Sequence, residues 1–122
     1  MPKKILIVDD EPDIFRGLDY LFTEEGYDVI GASSGKEALK KAREEKPELA
    51  LLDTKLSDDM DGIELCRQIK QVEKLPTKVI VYTGKIDAID AVRARENGAD
   101  DYYVKGSSVE GLLEAVRKLI GA

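Results

Sequence analysis

Three short apolar runs constrain this chain more than any other feature: Ile5-Leu6-Ile7-Val8 after Lys4, Leu49-Ala50-Leu51-Leu52, and Val79-Ile80-Val81-Tyr82. A strand with one wet face alternates apolar and polar residues. A run without polar breaks belongs to a strand covered on both faces, the condition of a central strand in a parallel sheet. Tyr27-Asp28-Val29-Ile30 and Asp101-Tyr102-Tyr103-Val104 are weaker runs that suit positions nearer the sheet edges.

Helical spacing fills the intervals. Ile14, Leu18, Leu21 and Phe22 recur at helical period, with Pro12 suited to the first turn and Gly26 as the stop. Ser34 is placed to cap a second helix carrying Ala38, Leu39 and Ala42, with Glu37 and Lys41 paired on its outer side and Pro47 closing it. Leu65, Cys66, Ile69 and Val72 mark a third helix, and Ile86, Ile89 and Val92 a thinner stripe for a fourth that ends near Gly98. Val109, Leu112, Leu113, Val116 and Ile120 make a clear fifth. Five strands alternating with five helices predict an α/β domain with a five-stranded parallel sheet, right-handed crossovers and helices on both faces.

A length of 122 residues, 43% of them hydrophobic, predicts one domain spanning 1–122. No apolar run approaches the roughly 20 residues needed to cross a bilayer, and a cytoplasmic location is expected. With 19 Lys and Arg against 25 Asp and Glu, the net charge of −6 offers no general attraction to nucleic-acid phosphates or anionic membranes. The charges from Lys36 to Lys46 read as a solvated helix face. The chain has no histidine, which removes Ser/His/Asp and Cys/His catalysis, histidine zinc ligands and an internal phosphohistidine relay. Cys66, the single cysteine, reads as an inert buried thiol.

Chemistry is therefore left to carboxylates, hydroxyls and lysines. Ligands of open parallel sheets gather beyond the carboxyl ends of the strands, where strand order reverses. Asp9, Asp10, Asp53, Thr83 and Lys105 each follow a strand run, so three carboxylates, a hydroxyl and an ammonium are sent to one edge. Taken alone, Asp9 and Asp10 read as a cap and favourable dipole charge for the helix that follows. Together with Asp53 they need a compensating cation, and Mg²⁺, with its preference for oxygen ligands, suits them. Calcium fits less well, because Asp58, Asp59, Asp61 and Gly62 lack the loop length and final Glu of an EF-hand.

At these residues the chain resembles, over essentially its whole length, the receiver domain of two-component response regulators. The resemblance is carried by Val8-Asp9-Asp10-Glu11, Leu52-Asp53, Met60-Asp61-Gly62, Thr83, Gly98-Ala99-Asp100-Asp101-Tyr102 and Lys105, in that order. It implies a doubly wound, flavodoxin-like (βα)5 fold. It also implies that Asp53 is the phosphoacceptor for the phosphohistidine of a partner histidine kinase or phosphotransfer protein, or for a small phosphodonor. Asp10, Asp53 and the backbone carbonyl of Lys55 would ligate Mg²⁺ directly and Asp9 through water. Thr83 would move toward the phosphoryl oxygens while Tyr102 turns inward, presenting a changed surface of the fourth helix, fifth strand and fifth helix to a downstream effector.

The chain departs from the family pattern at two places. Gly106 stands where proline usually follows the lysine, and a cis bond before a non-proline residue costs about 3 to 4 kcal/mol, so a trans Lys105–Gly106 bond is expected. The loop from Thr54 to Gly62 lacks the usual proline and runs one residue longer than the common form. Lys55 and Lys85 occupy positions that tune phosphoryl lifetime in the family and are expected to alter attack by water. Three rival readings remain. One is a receiver-like binding module that no longer takes phosphate. The second is a flavodoxin-like electron carrier, opposed by acid where a phosphate loop is needed. The third is a haloacid-dehalogenase-like phosphatase, whose Asp-x-Asp after the first strand is absent.

Overall fold

A computed structural model describes residues 2–56, 60–84 and 88–121. The first strand, β1 (Lys4–Val8), leads into α1 (Pro12–Glu24), and β2 (Asp28–Ala32) into α2 (Gly35–Glu45). Then come β3 (Leu49–Asp53), α3 (Gly62–Arg67) with a π-helical continuation over Gln68–Val72, β4 (Lys78–Thr83), α4 (Ala88–Glu96), β5 (Asp101–Val104) and α5 (Val109–Ile120). All strand pairs are parallel, in the order β2-β1-β3-β4-β5. The chain steps outward from β1 to β2, then crosses back past β1 to β3, so strand order reverses between β1 and β3.

The uninterrupted runs are buried for the reason their composition suggests. Leu6, Val8, Ala50, Leu52, Val79 and Val81 face α2, α3 and α4, packing with Ala38, Ala42, Leu65, Cys66 and Ala94. Their neighbours Ile5, Ile7, Leu49, Leu51, Ile80 and Tyr82 face α1 and α5, packing with Phe22, Leu112, Leu113 and Val116. Successive residues of one strand thus serve opposite cores, and each fully buried Leu or Ile contributes on the order of 2 kcal/mol by leaving water.

Several helix ends follow their sequence signals. Ser34 Oγ accepts the Glu37 N–H at 3.2 Å, and Glu37 in turn accepts the Ser33 N–H at 2.8 Å, so two open donors at the start of α2 are satisfied. The Glu37–Lys41 pair forms at 3.4 Å. Asp61 Oδ1 accepts the Glu64 N–H at 2.8 Å and caps α3, which makes the acid of Met60-Asp61-Gly62 a structural one. Cys66 is fully buried, and burial pushes its thiol up to about 12, as expected of an inert cysteine.

Several expectations need correction, among them Ile14 and Val109, which the stripes of α1 and α5 included and which are exposed. The second strand begins at Asp28, not Tyr27, because its register with β1 runs from Lys4↔Asp28 to Val8↔Ala32. Tyr27 instead packs its ring beside Phe22 and donates its hydroxyl to Gly121 O at 2.8 Å. Val72 is exposed: beyond Arg67 the helix widens, with Glu73 N–H reaching back five residues to Gln68 O at 2.8 Å, and the wider turn carries Val72 away from the sheet. The stripe assigned to the fourth helix also faces water, with Ile89 and Val92 at 71% and 53% exposure, and Ala94 is the residue that α4 buries. Ile86 lies outside the described residues. No helix among the described residues is long and apolar enough to cross a membrane.

Candidate functional site

The parallel register brings the carboxyl ends of β1, β3, β4 and β5 to one edge, where Val8 is level with Leu52, Asp53 with Tyr82, and Thr83 with Val104. Asp9 and Asp10 leave β1 there, Asp53 and Thr83 end their own strands, and Lys105 follows β5. Carboxylate oxygens of Asp9, Asp10, Glu11 and Asp53 all lie within 4.8 Å of one another. Asp9 and Asp53 are buried, and Asp10 and Glu11 are exposed.

Lys105 faces this cluster. Its ammonium is 3.2 Å from Asp53 Oδ2, 3.4 Å from Asp9 Oδ2 and 3.6 Å from Glu11 Oε1, and it also stands 4.8 Å from the centroid of the Tyr82 ring. Burial would lower its pKa, but the charges of Asp53 and Asp9 more than offset this and hold it above the ordinary lysine value. Asp53 is raised, chiefly by burial and further by Asp9, against the opposing pull of the Lys55 N–H and of Lys105. Among the described residues, one ammonium thus pairs with three members of a four-carboxylate cluster. The all-oxygen donor set and its uncompensated charge fit a hard divalent cation such as Mg²⁺.

Each buried carboxylate is held by backbone as well as side chains. Asp53 Oδ1 accepts the Lys55 N–H at 3.2 Å, and Asp9 Oδ1 accepts the Glu11 N–H at 2.8 Å. The hydroxyl of Tyr82 donates to Asp9 Oδ2. Burial first, then that hydrogen bond and the Asp9 charge, push the Tyr82 phenol far above its ordinary pKa, so it is the donor. A cleft of about 390 Å³, lined in part by Asp9, Asp10, Phe15 and Gly31, opens beside the cluster.

Thr83 is buried, and Thr54 Oγ1 donates to its hydroxyl at 3.2 Å, while its carbonyl accepts the Lys105 N–H at 2.6 Å. Tyr102 packs on the α2–α3–α4 side of the sheet with its hydroxyl buried, so the ring already points inward. Tyr103 points to the opposite face and donates to Ser108 O at 2.5 Å. Strand alternation therefore puts the two adjacent tyrosines on opposite faces of the sheet. Gly106 adopts φ +86°, the described residues contain no cis peptide bond, and the lysine is followed by a left-handed turn. Lys85 and the loop residues Ser57, Asp58 and Asp59 lie outside the described residues.

The structure brings Asp9, Asp10, Asp53 and Lys105 into one cluster, with Thr83 beside it through Thr54. It adds three side chains that sequence reasoning gave no role. Glu11 sat in a recognised motif and Thr54 next to Asp53, so position alone pointed near both. Tyr82 gave no such signal, because it reads as one more apolar strand residue.

The sequence profile of the response regulator receiver domain matches residues 5–117. The alkaline phosphatase synthesis transcriptional regulatory protein PhoP of Bacillus subtilis is 46% identical over 120 residues, covering 98% of this chain and 49% of that protein. The response regulator protein VraR of Staphylococcus aureus is 43% identical over 97% of this chain and 56% of its own length. Among solved structures, a CheY-like receiver domain from Methanospirillum hungatei superposes with a TM-score of 0.88 at 35% identity, covering 97% of this chain and 93% of that one. The BeF3-activated receiver domain of Klebsiella pneumoniae RstA gives 0.89 at 27% identity, over 96% and 97%. The chain belongs to the receiver domains of two-component response regulators. It spans about half the length of PhoP and VraR, the two full-length relatives named above.

Proposed function

We propose that this receiver domain accepts a phosphoryl group on Asp53 in a Mg²⁺-dependent reaction and relays that event to a partner surface. The observation that carries the reading is the buried Asp53 carboxylate, pinned by the Lys55 N–H and Lys105 and set within 4.8 Å of Asp9, Asp10 and Glu11 oxygens.

A free Asp53 oxygen lone pair attacks phosphorus in line, the bond to the donor's imidazole nitrogen or acyl oxygen breaks, and an acyl phosphate forms. Lys105 pairs with a non-bridging phosphoryl oxygen, and the Thr83 hydroxyl turns from Thr54 to donate to another. Bound Mg²⁺ supplies charge neutralisation of the equatorial oxygens. Asp10, Asp53 and the Lys55 carbonyl are its direct ligands in this reading. Asp9 acts through water, an assignment supported by the protein donors already on both of its oxygens. With no histidine in residues 1–122, the phosphoryl group arrives from outside this domain, from a histidine kinase, phosphotransfer protein or small donor. The reading places the protein in the cytoplasm, working through an effector protein or domain, with Thr83 and Tyr102 as switch residues.

Incubation with Mg²⁺ and acetyl phosphate is expected to add one phosphoryl mass to the wild type and none to Asp53→Ala, read by intact-mass spectrometry. An unmodified wild type would instead support a receiver-like binding module that works without phosphate.

A further inference from the structure

We propose that Tyr82 is a positioning residue of this site: its hydroxyl fixes the Asp9 carboxylate while its ring seats the Lys105 ammonium. The inference rests on the reading of the cluster as a Mg²⁺-dependent phosphoacceptor site.

Strand β4 sends Thr83 and Tyr82 to opposite faces of the sheet. The Tyr82 ring is 1% exposed and belongs to the apolar layer of Ile5, Ile7, Leu51 and Ile80. A hydroxyl in such a layer is costly unless it finds an acceptor, and this one finds Asp9 Oδ2. Phenylalanine would fill the same space without that demand, so what the hydroxyl adds is the bond to Asp9.

The bond completes the clamp on a carboxylate whose side chain is fully buried. Glu11 N–H holds Oδ1 at 2.8 Å, and Tyr82 holds Oδ2, which also faces Lys105 at 3.4 Å. Rotating the Asp9 carboxylate would break donors at both ends, so its remaining lone pairs keep one direction, that of the shared cluster. Such outer hydrogen bonds orient the groups that hold a metal and tune its affinity.

The ring does separate work. The Lys105 backbone is anchored by its N–H on Thr83 O, but its flexible stem leaves the ammonium a wide arc. The ring centroid at 4.8 Å attracts the cation and narrows that arc to the side of Asp53.

Two variants split the contacts. Tyr82→Phe keeps the ring and loses the hydroxyl, while Tyr82→Leu loses both. Mg²⁺ affinity is read by calorimetry on the intact chain without phosphodonor, and the rate of Asp53 phosphorylation from acetyl phosphate is read by intact mass at saturating Mg²⁺. Tyr82→Phe is expected to weaken Mg²⁺ binding about fivefold to tenfold while its saturated rate stays within about twofold of wild type. Tyr82→Leu is expected to weaken binding similarly and also to slow the saturated rate about fivefold or more. A Tyr82→Phe protein that binds Mg²⁺ as the wild type does, or that loses as much saturated rate as Tyr82→Leu, overturns the inference and leaves the phosphoacceptor reading standing. Because Tyr82→Phe preserves the packing, it decides the Asp9 half even if Tyr82→Leu does not fold. A wild type that neither binds Mg²⁺ nor takes phosphoryl removes the underlying reading, and the inference with it.

Discussion

A β-carbon on Gly62 would lie 2.0 Å from the carbonyl oxygen of Asp53, while the Gly62 N–H donates to Thr54 O at 3.2 Å. The start of α3 is therefore pressed against the strand end that presents the Asp53 carboxylate, and no side chain fits between them. Gly62→Ala is expected to destabilise the protein by about 2 to 3 kcal/mol, as overpacking against backbone does, and to slow Asp53 phosphorylation by displacing the carboxylate. Thermal melts and intact-mass kinetics check this, and a variant with wild-type values for both would show that the contact relaxes freely. Gly106 is a different case: a β-carbon there meets open space, and only the φ of +86° favours glycine. At this scale Asp9, Asp53 and Lys105 were legible because each directly follows an apolar run, and Asp10 because it comes next after Asp9. The partner of Tyr82 was not, since its acceptor is 73 residues away in sequence.

Helix α4 shows where periodicity stops being informative. Ile89 and Val92 recur three residues apart, the same signal that marks a core face elsewhere, yet both are exposed and Ala94 is the residue packed on the sheet. A short helix near the sheet edge, where β5 is only partly buried, has little apolar surface to cover, so a small residue suffices. Ile89→Ser and Val92→Ser are each expected to change stability by less than about 0.5 kcal/mol. Ala94→Leu is expected to cost about 1 to 3 kcal/mol by overfilling its site. Urea melts of the three variants check both statements, and a large loss at Ile89 would return it to the core. The π-helical continuation of α3 is a second such place, because one widened turn shifts every later residue around the helix and takes Val72 out of the stripe. The strands were read more closely, since their apolar runs needed no angular precision.

The carboxyl edge of the sheet concentrates like charge above an apolar strand interior, and stability should register that. In the absence of Mg²⁺, Asp53 holds its proton to higher pH when folded than when unfolded, with burial the main cause. Ionisation of this carboxyl therefore costs folding free energy: the relative stabilisation is full below the unfolded carboxylate pKa and is lost as pH rises through the folded one. Asp53→Asn is expected to be more stable than wild type at pH 7 without Mg²⁺, by on the order of 1 kcal/mol, with the gap closing toward pH 4. Melting curves across that range decide it, and a gap that widens on acidification would reverse the sign. The order of five strands and five helices, and the carboxylates at the ends of β1 and β3, were written into the chain, because two-sided burial leaves a local signature of uninterrupted apolar runs and chain direction alone puts their ends at one edge. Which side of α4 meets the sheet, that Tyr102 points inward, and that Tyr82 links Asp9 to Lys105 emerged from packing. These depend on distances between residues far apart in sequence, which no local pattern of residue types encodes.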